Sequence, residues 1–173
     1  RLHRNVRTTL FYSYRNMDAT IKEGVITSIY KTGLHRSESE AEKVNAFSMQ
    51  TMGGSIRYDA NRWSIGANGI YYFFDKEYRP NLQAYSKYNL QGNHFYNAGM
   101  DYQLRLGALN WRGEVAKGKE GWAAVNRLIY NYSGDWRMML VHRYYAPDYW
   151  SFFGNSVGDS RTPQNENGWY LAA

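Results

Sequence analysis

Asp101 and Glu114 are the two carboxylates whose placement most invites chemistry. They share one face of two alternating runs joined by a very short connection, as an acid and a base of a glycoside-hydrolysing site would. Arg105 and Arg112 occupy the same face of the same runs, so mutual neutralisation of the four charges is the plainer reading. The other reactive groups are scattered. His142 alternates with Trp136, Met138 and Leu140, which assigns it to an apolar face, while His3, His35 and His94 fall in terminal or loop stretches. No Gly-x-Ser-x-Gly elbow occurs, and Ser133, Ser151 and Ser156 have no recognisable base. Asp148, Asn155, Asp159 and Glu166 crowd one stretch without the spacing of a calcium loop. The absence of Cys removes thiolate metal sites and disulfides. Residues 144–153 are aromatic enough to stack on a sugar or a partner protein, but an interfacial girdle uses the same residues. No catalytic, cofactor or metal residues are assigned, and the expected function is non-enzymatic.

The elements that carry these residues alternate with a period of two, which places successive side chains on opposite faces of a strand. In residues 95–117, Tyr96, Ala98, Met100, Tyr102 and Leu104 interleave with Asn97, Gly99, Asp101, Gln103 and Arg105. After residues 105–108, Leu109, Trp111, Gly113 and Val115 interleave with Asn110, Arg112 and Glu114. The two runs predict a tight antiparallel hairpin with Gly107 at positive φ. Further strands are predicted at 6–15, 24–31, 47–58, 63–74, 122–132 and 136–145, with a last one from 168. Outward positions include Met52, Ile56, Trp63, Tyr71, Phe73, Trp136 and Tyr144. Arg57, Arg137 and Arg143 join the inward set, whereas the facing of 122–132 stays open because Asn126 and Arg127 cannot both point inward. Residues 16–23, 33–45, 75–94 and 146–167 read as connections; 33–45 is either a solvated loop or a short helical insert, and 84–89 within the third is a weak strand candidate.

At 173 residues the chain suits a single domain. With 17 Tyr, 7 Phe and 6 Trp against 3 Pro, its composition favours β-structure. A mean hydropathy of -0.69 excludes a helical membrane protein but not a barrel, whose alternating strands average to a polar value. The net charge of +6 raises a nucleic-acid partner. The arginines are nevertheless spaced through strands instead of gathered in one basic run, so no nucleic-acid binding is expected through this segment.

Connection length supplies the strongest signal. Those at 59–62, 106–108 and 133–135 are short and those at 75–94 and 146–167 long, with 118–121 an exception. Outer-membrane barrels segregate short periplasmic turns from long outside loops in this way. Strands near ten residues, with aromatics at their ends and charge on the opposite face, fit the same architecture. The expected fold is therefore an all-β, antiparallel up-and-down transmembrane barrel. The charges Arg57, Asp101, Arg105, Arg112, Glu114, Arg137 and Arg143 would face its lumen. The aromatics Trp63, Tyr71, Phe73, Tyr96, Tyr102, Trp111, Trp136 and Tyr144 would mark the membrane interfaces.

The segments SYRNMDATI (13–21), GLHRSESE (33–40), IYYFFDKEYRPNL (70–82), YNAGMDYQLR (96–105), HRYYAPDYWSFFGNS (142–156) and QNENGWYL (164–171) resemble the barrel portion of outer-membrane proteins from Bacteroidetes-type bacteria. Such proteins often carry a periplasmic helix-hairpin-helix segment, which has no counterpart in these residues, so its DNA binding is not implied here. The resemblance implies part of a larger barrel in the bacterial outer membrane, in contact with lipid and with outer-membrane or periplasmic proteins, serving solute passage or an outer-membrane assembly. An odd number of strands agrees with a partial barrel. A membrane-embedded hydrolase and a soluble carbohydrate-binding β-sandwich or barrel are the alternatives.

Overall fold

The computed structural model describes residues 4–30, 38–82, 88–132, 134, 136–154, 158 and 164–173. His3, His35, Ser133, Asn155, Ser156, Asp159 and most of the 84–89 strand candidate lie outside these residues. The fold is all-β. Its strands are β1 (Val6–Lys22), β2 (Val25–Tyr30), β3 (Phe47–Asp59), β4 (Trp63–Tyr78), β5 (Gly92–Leu106), β6 (Leu109–Gly118), β7 (Trp122–Asn131), β8 (Arg137–Tyr145) and β9 (Glu166–Ala172), with one helical turn, α1 (Glu38–Ala41). They form one sheet in the order β2-β1-β3-β4-β5-β6-β7-β8-β9. Apart from a parallel bridge between Ile26 of β2 and Tyr78 of β4, the sheet follows sequence from β3 onward, as short hairpin connections dictate.

Three strands run well past the sequence expectation. β1 continues through residues 16–22, which had read as a connection, and closes on β2 through Glu23 and Gly24. Both turn residues have positive φ, 51° and 79°, the geometry of a two-residue turn that matches strand twist. The alternation never stops there. Met17, Ala19 and Ile21 continue one side, while the other changes from Tyr12 and Tyr14 to Asn16, Asp18 and Thr20, so the apolar signal disappears from one face only. The long loop expected at 75–94 is likewise shortened from both ends, because β4 reaches Tyr78 and β5 starts at Gly92. β9 begins at Glu166, two residues early, and α1 is a helical turn inside the acidic 33–45 stretch.

The residues divide into two compact units, one comprising 1–10, 54–69 and 97–173 and the other 11–53 and 70–96. We call side chains in phase with Arg57 and Asp101 inner, and their strand alternates outer. In the second unit the inner side is a buried, largely aromatic core. Phe47, Tyr72, Phe74, Phe95, Ile26 and Met49 are almost wholly buried, and Phe74 lies 5.0 Å from Phe47 and 5.2 Å from Phe95 between ring centroids. In the first unit a smaller cluster of Ala123, Tyr145, Ala146 and Tyr149 packs beside Ala116 and Val125. The connection after β8 is held there by the Asn97 side chain, whose Nδ2 donates to the Trp150 carbonyl at 2.8 Å.

Candidate functional site: a charged cavity

The site is built on the sheet of the first unit. Register sets Gln103 opposite Arg112, Arg112 opposite Arg127, Arg127 opposite Val141 and Val141 opposite Tyr170, one row across five strands. The next row runs Asp101, Glu114, Val125, Arg143 and Gly168. All of these residues except Gly168 line, with Arg57, a cavity of about 650 Å³, whose wall also includes Met139.

Its charges are paired differently from the sequence expectation. Asp101 forms its ion pair with Arg57 of β3, not with Arg105 or Arg112. The two meet across β4, where Ser64 and Gly66 keep the intervening strand low: Arg57 Nη2 donates to Ser64 Oγ at 3.0 Å, and a Cβ at position 66 would strike the Asp101 carboxylate. Arg57 also bonds Asp59, which accepts from Arg7 with Nη2 to Oδ2 at 2.7 Å. Arg105 and Arg112 converge on the buried amide of Gln103. With its oxygen turned toward them, that amide accepts from Arg105 Nη2 at 2.9 Å and from Arg112 Nη2 at 3.1 Å. Arg143 pairs with Glu166. Among the described residues no carboxylate lies within ion-pair distance of Arg105, Arg112 or Arg127. At the neighbouring loop, burial pushes the Tyr149 phenol above the usual tyrosine value, and the charge of Glu114 adds to that shift.

Of the seven charges assigned inward from sequence, five (Arg57, Asp101, Arg112, Glu114 and Arg143) line the cavity. Arg105 reaches it through Gln103, and Arg137 lies apart at the start of β8, donating from Nε to Asn131 Oδ1 at 3.1 Å. Alternation alone reads Gln103 as inward but not as part of a site, and leaves Arg127 open; both line the cavity. Register now resolves β7, with Arg127 in the inner row and Asn126 outward, opposite Gly113. Tyr102 lies across the vacant side of Gly113 and donates its hydroxyl to Asn126 Oδ1, so the outward amide is not left unbonded.

In the first unit the outer aromatics Trp63, Trp111, Trp136 and Tyr144 are exposed. In the second unit Tyr96 is exposed, while Tyr71 and Phe73 are half covered by His94, whose ring lies 5.0 Å from that of Phe73. Tyr102 is half-buried edge-on against Trp111. His142 also faces outward, its ring tilted against that of Trp169 at 4.3 Å between centroids and hydrogen-bonded to Asn167 Oδ1 at 3.1 Å, an amide partner that gives it no acid to work with. Among the described residues there is no cluster of three metal-binding side chains and no helix long and apolar enough to cross a membrane. No family model, curated protein or solved structure matches the chain.

Proposed function

We propose that the chain is the strand-rich part of an integral outer-membrane β-barrel that is non-enzymatic and serves solute passage or the structure of an outer-membrane assembly. The carrying observation is the placement of tryptophan. Trp63, Trp111, Trp122, Trp136 and Trp169 are all outward and 42–68% exposed, an arrangement costly in water and favourable at a membrane interface. Strand patterning supports the same reading. On β4 the outer side chains run Trp63, Ile65, Ala67, Gly69, Tyr71 and Phe73 before changing to Asp75 and Glu77, so the apolar band has the length of a tilted membrane-spanning strand and the remainder projects into water. On β5 the band extends from Tyr96 to Leu106. The first half of β1, and β9, carry exposed apolar side chains on both faces, among them Leu10, Phe11, Tyr12, Tyr170 and Leu171. Bare edges of this kind call for further strands, as in a larger barrel.

The full-length protein, reconstituted into vesicles containing bromine-labelled acyl chains, tests the proposal. Tryptophan fluorescence is expected to fall strongly on insertion. Unquenched emission would overturn the membrane reading in favour of a soluble β-domain. In planar bilayers, anion-selective conductance steps would assign solute passage, and silent membranes a structural role.

A further inference from the structure

The inner wall holds more cationic charge than it neutralises, and the surplus is concentrated. Arg112 and Arg127 are directly opposed on β6 and β7, a like-charge pairing that destabilises a bare sheet. Arg105 adjoins Arg112 through the shared Gln103 oxygen, and none of the three arginines has a carboxylate within ion-pair distance among the described residues. Asp101 does not supply that charge, because it is paired with Arg57. Beside Arg127 the wall turns apolar, with Val141 next in the row and Met139 and Val125 nearby.

We infer that Arg112 and Arg127, with Arg105 behind Gln103, bind the phosphate or carboxylate group of a small soluble organic anion whose apolar part rests on Val141 and Met139. Adjacent guanidinium forks bind such groups through paired, charge-assisted hydrogen bonds, and the anion relieves the repulsion between the two arginines. A cavity of about 650 Å³ suits a small organic molecule. The site is on the inner side, opposite the bare apolar face, which makes a soluble anion and not a lipid headgroup the ligand. The inference deepens the solute-passage reading and rests on the inner side being open to water. It does not require the outer face to be in lipid.

Isothermal titration of the full-length protein, folded in non-ionic detergent, with phenyl phosphate tests the site. Binding is expected that inorganic phosphate competes away, that phenol does not reproduce and that anionic lipid mixed into the micelles leaves intact. Arg112→Gln and Arg127→Gln should each weaken it by roughly tenfold or more. Arg7→Gln, at a pair with Asp59 that does not line the cavity, should not weaken it. Gln103→Glu separates binding from folding, since it gives Arg105 and Arg112 an internal carboxylate. It should raise resistance to denaturant while weakening phenyl phosphate. The site is overturned if the folded protein binds no phenyl phosphate, binds phenol equally well, loses phenyl phosphate to anionic lipid, or keeps its affinity in Arg112→Gln, Arg127→Gln and Gln103→Glu. Failure of the membrane reading would appear instead as unquenched tryptophan in the vesicle experiment, and the titration is independent of it.

Discussion

At the scale of single residues, the least local contacts organise the charged cavity, and those are the ones the sequence could not display. Arg57 and Asp101 are 44 positions apart, and only the small pair Ser64 and Gly66 on the strand between them hints that something crosses there. Gln103 is quieter still: an amide in an alternating run looks like any polar inner position, yet it is buried between two guanidinium groups. From pattern alone, an inward arginine at 103 is expected to be tolerated. In the folded protein it removes the shared acceptor and adds a third cation beside Arg105 and Arg112. Gln103→Arg is therefore expected to destabilise by about 2 kcal/mol or more, read as a lower denaturant midpoint in micelles. Tyr102 makes the complementary case on the outer side. Tyr102→Phe keeps the ring over Gly113 but leaves Asn126 Oδ1 without its donor, at a cost of about 1–3 kcal/mol, whereas the same change at Tyr144 should cost little. Equal midpoints for the two variants would mean that the Asn126 contact contributes nothing.

At the scale of elements, alternation carried most of the information because a strand exposes its environment directly in its period. The 95–117 hairpin is the clearest instance: the register sets Met100 opposite Val115 and Leu104 opposite Trp111, with Gly107 at a φ of 56° in the turn. Strand ends were less legible for a physical reason. Where a strand leaves the apolar band its outer residues become polar, as at Asn16 and Asp18 or at Asp75 and Glu77, and the composition then looks like a loop although pairing continues. The inner side changes character too, from Arg57 and Asp59 to Phe47, Met49 and Thr51 along β3, so a single label for a strand's two faces fails over its full length. Met100→Arg and Val115→Arg each place charge on the bare outer face and should cost on the order of 2–4 kcal/mol if that position lies near a bilayer midplane. Because the two sites are directly opposed, the double variant should lose more than the sum, through repulsion between the new cations. Refolding into vesicles followed by denaturant titration measures this, and three variants as stable as wild type would remove lipid from this part of the face.

At the scale of the molecule, the question is which connections share a side. In the first unit the hydrogen bonds answer it. Arg105 donates its backbone N–H to the Arg62 carbonyl at 2.7 Å, and Asn131 donates to the Ala108 carbonyl at 3.0 Å, so the short connections after β3, β5 and β7 stand together at one end of their strands. At the opposite end Gly118 donates to the Gly121 carbonyl at 2.9 Å, and Ala146 donates to the Trp122 carbonyl at 2.9 Å, which brings the 119–121 turn beside the long connection after β8. The 118–121 turn, an exception when connections are sorted by length, is thus an ordinary member of the second set when they are sorted by position. If the protein spans the outer membrane, its short-turn end faces the periplasm and the end carrying 119–121 and 146–154 faces outward. Single cysteines at Asn61 and Glu120 test this without disturbing packing, because both side chains are exposed and both turns are short. A membrane-impermeant maleimide applied to intact cells should label Glu120→Cys and leave Asn61→Cys unmodified until the outer membrane is opened. Labelling of both in intact cells would exclude a spanning arrangement. Labelling of Asn61→Cys alone would keep the span and invert its direction.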